Sequence, residues 1–238
     1  LFESYGDEAI ESGMITNVIT SAQKQIEGKN FDIRKNLLDY DDVIAKQRES
    51  IYGKRDSILL ADSITDLIHE MFETAGVALA KKSVLDGSDG MVDAQALKKI
   101  LEPRFMKEGS FKAAAYDESH YQEAGEDLGL TLNALYQVRR KQWPEEIANQ
   151  VERSITLQTI DQNWTKHIDS MARLRDSIHL RSYANTNPLQ DYVNEGYELF
   201  NDMMDTVAVD VVWKFLNVII QVNKKEETPV ENTEEIDL

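Results

Sequence analysis

The sequence predicts an all-α, elongated protein: one long helix, a small helical subdomain, an antiparallel two-helix hairpin and an acidic tail. Three observations carry that expectation. Apolar residues recur every three or four positions through most of residues 13–220, the spacing of one face of a helix. Only 4 prolines and 11 glycines occur in 238 residues, many at element ends, which argues against sandwiches and barrels. Two long apolar stripes are joined by a short turn ending in Asn187-Pro188, an N-cap followed by proline at the first helical position.

The elements follow in order. Residues 1–12 form a connector. Over residues 13–62, Ile15, Ile19, Ala22, Ile26, Ile33, Leu37, Tyr40, Ile44, Gln47, Ile51 and Ile58 make one seam. A helix of about 45 residues would be roughly 70 Å long, far above ordinary length, so it should serve as a strut for several bodies. Gly28 and Gly53 are its weak points, each costing about 1 kcal/mol relative to alanine. Residues 63–144 read as a helical subdomain with long loops. Its first helix presents Ile64, Leu67, Ile68, Met71 and Phe72, LDGSDG (85–90) is a turn, Asp93 caps a helix stopped by Pro103, and a last helix ends in LNALYQVRRKQW.

Residues 145–222 form the hairpin. Pro144 is placed for the first turn of a helix whose stripe is Ile147, Val151, Ile155 or Leu157, Ile160, Trp164, Ile168, Met171, Leu174 and Ile178. The return helix presents Tyr192 or Val193, Gly196, Phe200, Met203 or Met204, Val207, Val211, Phe215 and Val218. Stripes of this kind on consecutive helices define an antiparallel hairpin, with Gly196 permitting close approach. Residues 223–238 are polar, acidic and aperiodic, and read as a disordered tail.

Charge and composition exclude several functions. The net charge of −17 repels phosphates and argues against nucleic acid. By segment it is −4 over 1–12, zero over 13–62, −3 over 63–144, −6 over 145–222 and −4 over 223–238. The neutral segment is the one expected to be clasped by other protein. Without cysteine there are no disulfides and no thiolate metal sites, which fits a reducing cytosol. The most apolar run, VAVDVVWKFLNVII (207–220), is interrupted by Asp210 and Lys214 and too short to span a bilayer. No initiator methionine opens the chain, so it reads as part of a larger soluble protein.

Catalytic motifs are absent. There is no G-x-x-x-x-G-K-[ST], no G-x-G-x-x-G and no G-x-S-x-G. The pairs Asp66/His69 and Asp117/His120 have the spacing of a di-iron helix motif but use Asp and lack marked bridging carboxylates, so surface histidines beside acids are the better reading. Asp39, Asp41 and Asp42 in LLDYDDV read as a solvated helix face. Trp164, Met203 and Met204 read as hairpin core. Lys166, Arg173, Arg175 and Arg181 face a return helix bearing Asp191, Glu195, Glu198, Asp202, Asp205 and Asp210, so cross-hairpin pairing is expected. In the turn HLRSYANTNP (179–188), Leu180 and Tyr183 are unusually apolar for a connection. From the residues alone two roles stand open: folding back over the hairpin core, or projecting to grip an extended partner.

Particular runs resemble a known family. AQKQIEGKNFDIRKNLLDYDDVIAKQRESIYGKR (22–55) is similar to the long scaffold helix of the SecA family, bacterial ATPases that drive preproteins through the SecY channel. LQTIDQNWTKHIDSMARLRDSIHLRSYANTNPLQDYVNEGYELF (157–200) resembles its two-helix finger. The resemblance spans nearly the whole chain in the family's order, namely scaffold helix, helical wing and finger, and is weakest over 63–142. It implies that Tyr183 is the finger-tip tyrosine, with Leu180 and Arg181 beside it in contact with the translocating chain. It also implies that Arg34, with Asp32, in the Asp-Ile-Arg-Lys run couples the scaffold helix to the motor.

The implied partners are the SecY channel complex, preproteins, the parent's nucleotide-binding and preprotein cross-linking domains, and an acidic membrane surface. The implied location is the cytoplasmic face of the membrane, peripherally bound. ATP and Mg²⁺ would belong to domains outside this sequence; no cofactor, metal or enzymatic activity is expected of the chain itself. The family's cysteine-rich zinc-binding tail has no counterpart here, which puts SecB and tail-mediated lipid binding in doubt. An accessory SecA paralogue and a generic helical adaptor are the alternative readings.

Overall fold

A computed structural model describes residues 13–117, 119–181 and 187–220, with the side chains of residues 13, 14 and 179–181 left aside. Among the described residues the chain is all-α. It runs α1 (Gly13–Leu60), α2 (Thr65–Lys81), α3 (Ala94–Leu101), a 3-10 turn over Ala113–Ala115, α4 (Tyr121–Arg140), α5 (Glu145–Arg181) and α6 (Pro188–Asn217). The expected disordered tail over 223–238 lies outside the described residues.

The long helix forms as its periodicity predicts and spans 48 residues. Gly28 and Gly53 neither end it nor face another element. The apolar seam is used in only one half. Ile51 and Ile58 are each 1% exposed and Tyr40 is buried, whereas Ile19, Ile26, Phe31, Ile33 and Leu37 lie open to solvent.

Local signals fix the shorter elements. Asp93 Oδ1 accepts hydrogen bonds from the backbone N–H groups of Gln95 and Ala96 at 2.9 and 3.0 Å, and α3 stops at Leu101, two residues before Pro103. Asn187 Oδ1 accepts from Gln190 N, with Pro188 opening α6, which satisfies donors that every helix start leaves unpaired. Pro144 sits just outside α5 rather than within its first turn, and its carbonyl takes the first helical bond, from Ala148 N at 2.9 Å.

The subdomain is built on α2 against α4, and its helices meet at glycines. A Cβ placed on Gly76 would lie 2.6 Å from Gly129 N, and one on Gly129 would lie 2.7 Å from Phe72 O. Only glycine lets two backbones approach this closely. α6 completes that core: Tyr136 stacks on Phe215 at 5.0 Å and on Phe72 at 5.6 Å. One apolar core therefore unites α2, α4, the second half of α6, Ile51 and Ile58 of α1, and Ile160 and Trp164 of α5. A second, smaller core of Tyr40, Met171, Leu174, Ile178 and Tyr192 lies at the far end of the hairpin.

Candidate interaction surfaces on the long helix and the hairpin

α5 and α6 lie antiparallel, and α1 runs antiparallel to α5 along the residues that are buried. Four contacts mark that second pairing in order. Arg153 of α5 donates to the carbonyls of Leu59 and Ala61 at 2.9 and 2.7 Å. Arg55 pairs with Asp161, Nη2 to Oδ2 at 3.2 Å. Gln47 meets His167, with Nε2 and Oε1 2.9 Å apart, and Asp41 faces Arg175 at 3.8 Å. The first of these has a clear electrostatic cause. The last turn of α1 contains no basic residue, so its exposed carbonyls and negative dipole end are met by an arginine from another helix.

The Gln47 contact joins three helices. Its amide Nε2 donates to Gly196 O of α6 at 3.0 Å while its Oε1 meets His167 of α5. A Cβ at position 196 would meet the flexible end of Met171, 2.7 Å from its Cε, and Val43 of α1 at 3.8 Å. His167 is only 4% exposed and packs against Trp164 and Phe200. Burial lowers its pKa below the usual imidazole value, because the charged form loses hydration.

This arrangement corrects the expected stripe on α5. Ile168, placed in the stripe by periodicity, is 37% exposed, and His167 occupies the interior instead. It belongs to a buried polar row of Glu152, Thr156, Thr159, Asn163 and His167. Thr156 and Thr159 donate back to carbonyls four residues earlier in their own helix, so they enter the interior with their hydroxyls satisfied. Asn163 reaches Asp210, and Lys214 reaches Thr159, tying the two hairpin helices together.

At the base, Arg140 binds Glu145 through both terminal nitrogens and Glu152 through Nε at 2.7 Å. Tyr136 donates to the same Glu152 oxygen at 2.6 Å. Burial and the adjoining carboxylate push the Tyr136 pKa well up, so the phenol keeps its proton and remains a donor. The expected cross-hairpin pairing of Arg175 is replaced by its contact with Asp41 of α1.

Asp32 and Arg34 lie on the exposed part of α1. Leu180 and Arg181 are the last two residues of α5, and Tyr183 lies outside the described residues. Arg34 stands six positions beyond Tyr40, roughly 9 Å along the helix axis. Asp32 and Arg34 thus lie on the part of α1 that continues past the hairpin contacts, and Leu180 and Arg181 end α5. Sequence reading did not find Arg153, His167 or the glycine crossing as key contacts; Gln47 within an apolar seam and the Gly125/Gly129 spacing were the available signals. The histidines of the Asp66/His69 and Asp117/His120 pairs have structural partners. His69 meets Asn133 at 2.6 Å and His120 caps α4 through Nδ1. Among the described residues no group of three or more His, Asp or Glu could hold a metal, and no helix is long and apolar enough to cross a membrane.

The chain thus joins a long helix sheathed over half its length to a helical wing and a hairpin. Residues 9–219 match the family described as the SecA Wing and Scaffold domain, and the chain belongs to that family. It is 36% identical to the protein translocase subunit SecA of Mycoplasma capricolum subsp. capricolum over 237 residues, covering 99% of this chain and 25% of that protein. Its likeness to the subunit of Mycoplasma mycoides subsp. mycoides SC is 35% with the same coverage. The chain thus spans about a quarter of the length of these relatives.

Proposed function

We propose that this chain is the scaffold, wing and finger region of a SecA-type ATPase that moves preproteins through a SecY-type channel. The observation that carries the reading is the family match over residues 9–219, obtained on a long helix whose first half presents an uncovered apolar seam. In this reading the parent's nucleotide-binding and preprotein cross-linking domains seat on residues 15–38, beside Asp32 and Arg34. ATP and Mg²⁺ are held by those domains, and this chain hydrolyses nothing by itself. Their movement reaches the hairpin through the contacts between α1 and α5, and Leu180, Arg181 and Tyr183 at the hairpin end touch the moving polypeptide. The protein works on the cytoplasmic side, peripherally bound to an acidic membrane surface.

The test uses the full-length protein with channel-bearing vesicles, ATP and a preprotein. Tyr183→Ala should lower transport several-fold with unchanged folding and unchanged nucleotide binding. Transport equal to the parent would remove the tip from the mechanism, and no ATP-dependent transport by the parent itself would remove the motor reading.

A further inference from the structure

We propose that the acidic segment 226–238 docks within the chain onto a groove of the wing, formed by α3 and the loop that follows it and bordered by basic residues. This stands apart from the transport reading and rests on three observations.

The first is the groove. It has a volume of about 580 Å³ and is lined by Gln95, Lys98, Lys99, Glu102, Pro103 and Glu108. Residues 97–112 carry five Lys or Arg and two Glu, in a chain whose net charge is −17. One of the two acids is already engaged: Glu102 Oε1 accepts the backbone N–H groups of Gly109 at 2.9 Å and Phe111 at 3.4 Å. It lies 3.9 Å from Lys98 Nζ. The lining itself is balanced, two Lys against two Glu, and the positive excess open to a partner is that of Arg104, Lys107 and Lys112, which are exposed around it.

The second observation is where the chain leaves α6. Asn217 Nδ2 donates to Arg104 O at 3.1 Å, one residue from the groove-lining Pro103. Arg139 Nη2 donates to Val218 O at 2.8 Å, which fixes the exit point on the wing. The third is the sequence that follows. Residues 226–238 contain six Asp or Glu and no Lys or Arg, and they begin six positions after Ile220.

Six residues reach at most about 20 Å, so the acidic run starts within range of the groove. A short tether holds a segment at an effective concentration on the order of millimolar. Individually weak exposed ion pairs then suffice to keep it seated. Such a contact is salt-sensitive, because exposed charges are screened within about 10 Å at 0.1 M ionic strength. Any acidic partner for this face of the wing would have to displace the segment first.

The experiment replaces Val230, which leaves all six acids in place, by photoreactive benzoylphenylalanine in the 238-residue chain. Irradiation products are then mapped by mass spectrometry. Intramolecular cross-links should concentrate on residues 95–109. They should fall several-fold in the double variant Lys98→Glu with Lys99→Glu, and again in high salt. Charge exchange, with Glu234→Lys and Glu235→Lys added to that variant, should restore them. An unchanged melting temperature in the Lys98/Lys99 variant separates loss of docking from loss of fold. Cross-links concentrated on another surface, or spread evenly and indifferent to the charge reversal, would overturn the proposal, as would products found only between molecules.

Discussion

The α2–α4 pair and the α1–α5 pair are both antiparallel, yet they are held by opposite means. In the wing, Gly76 and Gly129 bring two backbones into contact, leaving no room for a single added carbon. Along α1 and α5 the link is made by side chains: Tyr40, Ile51 and Ile58 bury in the two apolar cores, and separated polar contacts run beside them, from Arg153 at the base through Arg55–Asp161 and Gln47–His167 to Asp41–Arg175. Interlocked backbones must move as one body, since sliding would drive main chain into main chain. Side-chain packing and polar contacts can rearrange without driving main chain into main chain. The wing is therefore built as a rigid piece and the strut–hairpin junction as a joint.

The sharpest way to break this comparison is to put a side chain into the wing. Gly76→Ala aims a methyl group at the backbone of α4, 2.6 Å from Gly129 N. Backbone cannot rotate away as a flexible side chain can, so overpacking should cost roughly 3 kcal/mol, even after the better helix propensity of alanine. Urea unfolding followed by circular dichroism measures it. A variant as stable as the parent would mean that α2 and α4 separate freely, and the contrast between rigid wing and adjustable joint would be lost.

How far the sequence carried the fold follows from the same contrast. Periodicity was enough to place α1, the hairpin and the Asn187-Pro188 helix start, because burying one face of a helix leaves a repeating apolar trace. It could not tell which half of the α1 seam is covered here, since Ile26 and Ile51 read alike and only the presence of a neighbour separates them. It misplaced the α5 stripe by one residue at Ile168, because the interior there is polar and His167 is satisfied by Gln47. It was blind to the glycine crossing, whose signature is the absence of a side chain. Of the candidate functional residues, Asp32 and Arg34 are exposed, while the residues that fasten the joint were legible only as an out-of-place glutamine.

The joint itself should respond to acid. The His167 pKa is lowered by burial, so the unfolded chain binds its proton more readily than the folded one. Stability from this group is complete above the ordinary imidazole value of about 6.5 and falls as pH drops below it toward the lowered folded value. By pH 5.5 the loss can reach at most about 1.4 kcal/mol. Thermal melts at pH 7.5 and 5.5 should show a decline that His167→Gln reduces. An identical pH response in that variant would place the sensitivity elsewhere.

The smallest effect should come from the outermost contact. Arg175 and Asp41 face each other at 3.8 Å with their side chains 38% and 59% exposed, so water screens the pair and both side chains lose freedom by holding it. Arg175→Ala should therefore change stability by no more than about 0.5 kcal/mol. Its more telling readout is hydrogen exchange along α1. If the joint is a series of independent contacts, exchange should quicken around Asp41 and remain unchanged near Gln47 and Arg55. Quickening along the whole of residues 40–60 would show that the contacts open together, and α1 would then be fastened to the hairpin as firmly as the wing helices are to each other.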